Sequence, residues 1–232
     1  MRTSIQDQEA QTRAQSDRLD DVVRARHTTR RLLPTPVPRP LLNKALSLAQ
    51  HAPSNSNIQP WRIVMVSGAA RNRLCTALLA TASKETPNIP ALPESFRKYR
   101  SDLGLEVYGR GMGIGRNDLA GRAAAVLRNY EFFGAPVAAI VCMNRELGSP
   151  DALSVGMYVQ TLLLALTEEG LDTSVEVSVA GYPDVLRREL GINDDMLIIC
   201  GVGIGYADPD FKANHLHIAR NPVEKNVTFI ED

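Results

Sequence analysis

A single domain of mixed helices and strands is what the 232-residue sequence predicts, and three observations carry that prediction. Three short apolar runs, at 61–66, 137–143 and 196–202, have the length and residue types of buried strands. Around them lie segments of helical length with apolar residues on one or more faces, the longest over 151–169. With 44% hydrophobic residues the chain can bury one sizeable core, and one domain is the simpler reading at this size.

In chain order, residues 1–16 are polar, carry four Gln and lack periodicity, so they read as a flexible tail ahead of a domain over 17–232. Leu19, Val22 and Val23 then suggest a short amphipathic helix from Asp17 to about Arg26. Residues 32–38 form an extended, proline-rich segment. Over 40–51, Leu41, Leu42, Ala45, Leu46, Leu48 and Ala49 make a broad apolar helix face. After the strand at 61–66, Ser67 and Gly68 turn the chain into a helix over 69–81.

Residues 82–118 are the least regular stretch, with Pro87, Pro90 and Pro93 followed by Gly104, Gly109, Gly111, Gly113 and Gly115. A phosphate-binding P-loop is excluded, because no Gly-Lys-Ser/Thr follows the glycines and no strand precedes them. The stretch reads either as a lid, with Phe96, Tyr99, Tyr108 and Met112 covering a substrate face, or as a pair of surface helices. A helix over 115–128 then leads to the strand at 137–143. The helix over 151–169 is apolar nearly all round, so it should be buried on several sides, in the core and at a subunit interface. Beyond it come a short extended stretch over 172–177 and a helix over 182–190 with Gly191 as its C-cap. The strand at 196–202 runs into a glycine-containing turn over 203–210.

Composition removes several function classes. Lys plus Arg and Asp plus Glu cancel at 26 each, so no global field draws in nucleic acid or an acidic membrane surface. No apolar run approaches the roughly 20 residues needed to span a bilayer, and the first 20 residues are too polar for a secretory signal, so a cytoplasmic location is expected. Cys75, Cys142 and Cys200 lie far apart among apolar neighbours and read as buried thiols. No His or Cys spacing suits a metal.

Two polar clusters stand out. Residues 52–61, Ala-Pro-Ser-Asn-Ser-Asn-Ile-Gln-Pro-Trp, hold short amide and hydroxyl side chains between two prolines and end on the only tryptophan. Prolines restrict the backbone, and each Asn or Gln offers both a donor and an acceptor, which suits the edge of a flat heterocycle. A plain helix-to-strand turn is the other reading. Residues 24–31 gather four arginines, two threonines and His27 at an element boundary. The guanidinium fork suits phosphate oxygens and the hydroxyls add directional donors, although most charge runs are solvated surface.

Pro53, Ser54, Asn55, Asn57, Gln59, Pro60 and Trp61 follow, position for position, the flavin-contacting loop of the FMN-dependent nitroreductase family, which the chain resembles from about residue 18 to 231. Arg26, Thr28 and Arg30, with His27 between them, match the spacing of that family's phosphate grip. The Phe-Phe-Gly-Ala-Pro run at 132–136 is similar to the branch named for nitrobenzoate reductases, and places Asn129 within reach of the flavin. The segment 214–232 resembles the family's C-terminal arm, in which Arg220 would close the phosphate site and Val227 to Ile230 would join the partner's sheet.

The resemblance implies an α+β fold in three layers, α/β/α, with a mostly antiparallel sheet and an intertwined homodimer holding FMN at each of two interface sites. It implies ping-pong chemistry in which NADH or NADPH reduces FMN and a nitroaromatic or quinone then takes the same pocket. Ser54, Asn55 and Asn57 would meet the ring from the neighbouring subunit, and a backbone N–H near Val177 or Ser178 would address flavin N5. One departure is plain: the branch has Pro then Gln-Glu where this chain has Val175, Glu176 and Val177. Other flavin chemistry on the same fold, a reductive dehalogenase or a flavin-consuming enzyme, and a flavin-binding protein without turnover are the alternatives. With the chemistry borne by the flavin, no side chain is assigned as a general acid.

Overall fold

In the computed structural model, residues 18–231 are described, so the expected tail at 1–16 lies outside them. The organising strand is β3 (Val137–Asn144). Its side chains alternate between two cores: Val137, Ala139, Val141 and Met143 enter one, and Ala138, Ile140 and Cys142 the other. A strand covered on both faces has no polar side, which is why 137–143 reads as an uninterrupted apolar run.

β3 pairs antiparallel with β2 (Trp61–Ser67) and with the long β5 (Met196–Ala207). On β5, β4 (Asp172–Glu176) and the two-residue β1 (Leu32–Leu33) add antiparallel ladders. The first core is covered by α2 (Arg39–Ala49) and α6 (Ser149–Glu168), including Leu42, Ala45, Val155, Tyr158, Leu162 and Leu166. The second is covered by α3 (Gly68–Ala82) and α7 (Pro183–Leu190), through Leu74, Leu78, Val185 and Leu186. The architecture is therefore three-layered, helices on both faces of an antiparallel sheet, as the resemblance implied.

α1 covers 18–25 among the described residues. Of the predicted helix over 115–128, the first turns are not helical; α5 occupies Leu119–Leu127, with Asp118 as its N-cap accepting from the Gly121 N–H at 2.8 Å.

Two expectations are corrected. The turn expected from Gly203 is a continuation of β5, which runs to Ala207. A Cβ on Gly203 would come within 2.9 Å of the Phe132 carbonyl oxygen, and one on Gly205 within 2.7 Å of Pro136 Cδ. These glycines thus let residues 132–136 lie flat on the strand, rather than turning the chain. The insert is also more regular than its glycines suggest: α4 (Arg97–Gly104) passes directly into a π-helix over Leu105–Gly111. The three cysteines are free and buried.

Candidate active site

The basic segment 26–31 is drawn inward by buried partners. The Thr29 N–H donates to the Thr173 carbonyl at 2.9 Å, and its hydroxyl reaches Asp172 Oδ1 at 3.4 Å. Buried Asn214 clamps the same segment from the far end of the chain: its Oδ1 accepts from the N–H groups of Arg30 (2.8 Å) and Arg31 (3.2 Å), and its Nδ2 donates to the carbonyls of Arg31 and Asp208. Three of this amide's four hydrogen bonds fix the backbone of Arg30 and Arg31 and the fourth ties it to Asp208, so the segment is held in one orientation.

The segment borders a cavity of about 240 Å³. Thr28, Arg30, Val175 and Glu176 line one side, Asn129 and Phe133 another, and the insert closes it with Arg100, Leu103, Val107, Tyr108 and Met112. The insert is helical, and of the four side chains named for it Tyr108 and Met112 line this cavity whereas Phe96 and Tyr99 do not. Phe133 is set by a left-handed backbone, with φ of 50°, 52° and 85° at Phe132, Phe133 and Gly134.

The electrostatics of the cavity are unusual. Burial lowers the pKa of the Arg30 guanidinium, and the described ion pairs do not include Arg26 or Arg30. Arg30 Nη1 donates to the Thr28 carbonyl oxygen at 3.3 Å. Glu176, 6% exposed, has its carboxyl pushed up to about 8 by burial, against the opposing pull of Arg30. Beside it, Ser174 Oγ is buried without a hydrogen-bond partner. His27 Nδ1 lies 2.8 Å from the Ala25 carbonyl, while its Nε2 is buried without a partner. A partly desolvated cation that forms no ion pair, its one nearby carboxyl held towards the neutral form by burial, fits an anionic group such as a phosphate beside the Thr28 hydroxyl.

The second cluster is built differently. The loop from Pro53 to Pro60 follows α2, with a 3₁₀ turn at Asn55–Asn57. Ser56, Asn57 and Gln59 take left-handed φ of 49°, 55° and 48°. Each costs on the order of 1 kcal/mol outside glycine, with Asn tolerating it best. Local bonds hold the strain: Ser54 Oγ accepts from the Gln59 N–H at 3.1 Å, Ser154 Oγ on α6 accepts from the Asn55 N–H at 3.2 Å, and Gln59 Nε2 donates to the Asn57 carbonyl at 3.1 Å. Beneath the loop, Trp61 is 4% exposed, stacks on Tyr158 with centroids 4.8 Å apart, and donates from Nε1 to Gln50 Oε1 at 3.0 Å. Pro53, Asn55, Asn57 and Gln59 stay exposed.

Of the predicted site residues, Thr28, Arg30 and Asn129 come together in the cavity. Arg26 and His27 flank it in sequence, Val177 is exposed, and Ser178 keeps a buried hydroxyl without a partner. Neither the 53–59 loop nor Arg220 lines the cavity in the single chain. Arg220 is exposed and bonded to its own backbone, Nη1 to the Ile218 carbonyl at 2.6 Å. Val227 to Ile230 form no strand within the chain. Sequence reasoning missed the structural part of Asn214 and the cavity position of Glu176 and Arg100. Glu176 had a signal, a lone acid between two valines; Asn214 had none.

A three-layer α/β/α scaffold with a cavity suited to an anion beside the end of β4 is what fold and site define. The chain belongs to the Nitroreductase family, whose model matches residues 23–206. It is 37% identical over 211 residues to a 4-nitrobenzoate reductase of Pseudomonas putida, covering 88% of this chain and 92% of that one. It is 33% identical over 226 residues to the nitrobenzene nitroreductase of Ectopseudomonas oleovorans, covering 92% and 97%. The FMN-dependent nitroreductase NfnB from Mycobacterium smegmatis, solved in complex with NADPH, superposes with a TM-score of 0.87 at 30% identity, over 93% of this chain and 99% of that one.

Proposed function

We propose that this protein is an FMN-dependent NAD(P)H oxidoreductase that reduces nitroaromatic or quinone-type acceptors. The observation that carries the reading is the cavity in which Arg30, half-buried and in none of the described ion pairs, sits beside Thr28 and Asn129. Relatives named for 4-nitrobenzoate and nitrobenzene, and one solved with NADPH, support the substrate class and the reductant. Arg26, Thr28 and Arg30 hold the phosphate end, and the backbone at Val177 and Ser178 borders the ring. When bound, FMN supplies hydride acceptance from the nicotinamide and hydride donation to the acceptor.

The assembly is a homodimer in this reading. A cavity of about 240 Å³ falls below the roughly 300–1,000 Å³ usual for sites that enclose a ligand, so a dinucleotide-sized or flavin-sized molecule extends beyond it. The exposed, pre-strained 53–59 loop of a second copy supplies the missing wall, with Ser54, Asn55, Asn57 and Gln59 reading the ring. Val223, Val227, Phe229 and Ile230, exposed on the single chain, are covered when the C-terminal arm crosses to the partner, and Arg220 moves with it. Among the described residues no helix is long and apolar enough to cross a membrane.

The test is the visible spectrum of the purified protein, its bleaching by NADH and NADPH without oxygen, and reoxidation by 4-nitrobenzoate, nitrobenzene and a quinone, alongside sedimentation. A yellow dimer that bleaches and turns over is expected. A colourless protein that takes up no FMN would sink the reading.

A further inference from the structure

Glu176 is not used by the chemistry described above, yet it faces the group that most needs an anion. It ends β4, paired with Gly201 on β5, and its side chain lines the same cavity as Arg30. The charged or titratable groups around it come from three elements: Arg30 from the 26–31 segment, Arg100 and Tyr108 from the insert, and Cys200 from β5. Cys200, pushed up to about 12 by burial, stays a neutral thiol. Arg100 is exposed, so solvent weakens its pull. Arg30 is therefore the one desolvated charge that Glu176 can oppose.

Resting on the FMN reading, we propose that Glu176 is a positioning residue that sets the charge of the anion site: as a neutral acid it leaves Arg30 free for the phosphate end of the cofactor, and as a carboxylate it competes for that arginine. The physical basis is burial: Glu176 is 6% exposed and Arg30 is half-buried on the same cavity wall. Two charges there interact far more strongly than at a surface, so one negative charge on the wall offsets much of the attraction for a bound anion. At neutral pH burial keeps the carboxyl mostly protonated, and rising alkalinity ionises it. A glutamine at this position would leave Arg30 permanently free; this chain instead makes cofactor retention depend on pH.

The test is the affinity of the full-length chain for FMN, read by quenching of flavin fluorescence between pH 6.5 and 9, for wild type and Glu176→Gln, with riboflavin as the ligand without a phosphate. Wild type is expected to lose about 5- to 10-fold in FMN affinity between pH 7 and 9, the scale of one charge interaction in a partly buried site. Glu176→Gln should hold its affinity within about twofold, and riboflavin should show no such slope with either protein. The wild-type contrast between FMN and riboflavin tests the inference even if the variant fails to fold. Parallel FMN profiles for both proteins, or the same slope with riboflavin, would overturn it while leaving the FMN site standing. If neither protein takes up FMN at any pH, the FMN reading falls and this inference with it.

Discussion

The 26–31 segment and the 53–59 loop are both short, polar and placed at the end of a helix, but they are held by opposite means. The first is fixed from outside, by Asn214, Thr173 and Asp172, and its Thr28 and Arg30 line a cavity shared with the insert and the end of β4. The second is fixed largely from within, by Ser54 and its own amides with one bond to Ser154 on α6, over the buried plinth of Trp61, and most of its side chains are exposed. A loop that stores backbone strain to aim polar groups at open solvent is prepared for a surface it does not itself possess. One cluster thus lines a cavity of its own chain, and the other faces outward, where the proposed second copy would meet it.

The strongest way to sharpen that contrast is through stability against pH. The carboxyl of Glu176 is raised from 4.5 to about 8 in the folded chain, so the fold binds more protons than the unfolded chain across that window. Stability of the protein should therefore fall as pH rises from 5 to 8, by an upper bound of roughly 5 kcal/mol, and Glu176→Gln should remove the fall. Denaturant titrations of both proteins at several pH values measure it; equal slopes would mean the cavity is wetter than its geometry indicates. Next in size, Trp61→Ala removes the ring stacked on Tyr158 and should cost about 3–5 kcal/mol by the same assay. It should also weaken flavin retention if the loop is the aiming device described here.

Arg30→Ala is expected to weaken FMN retention by about 1.5–3 kcal/mol, the worth of a charge-assisted contact, with the fold intact. Arg26→Ala and Arg220→Ala should act in the same direction. Unchanged flavin occupancy in all three would mean the phosphate sits elsewhere. Smallest, Ser54→Ala deprives the Gln59 N–H of its acceptor and should cost about 1 kcal/mol. Amide exchange at Gln59 is its sensitive readout, since a relaxed loop exchanges faster than the wild type.

Much of this was legible locally. The run at 137–143 was a strand because a strand covered on both faces leaves an unbroken hydrophobic signal, and 61–66, broken only by the exposed Arg62, showed the same signal at the sheet edge. The proline-flanked amides at 53–60 and the arginines at 24–31 announced themselves by residue type and spacing. The glycines at 203–205 misled, because a glycine that makes room for a neighbour is indistinguishable in sequence from one that turns the chain.

The sequence by itself determined which segments would be strands or helices and which side chains carried the means to hold a flat, charged cofactor. Tertiary structure alone decided that Thr28, Arg30, Asn129 and Glu176 share one cavity, that Asn214 aims the basic segment from some 183 residues away, and that the 53–59 loop looks outward. The reason is one of range. Propensity, capping and hydrophobic period act over a few neighbouring residues, whereas burial, and the charge it imposes on Arg30 and Glu176, exists only once distant segments have closed over them.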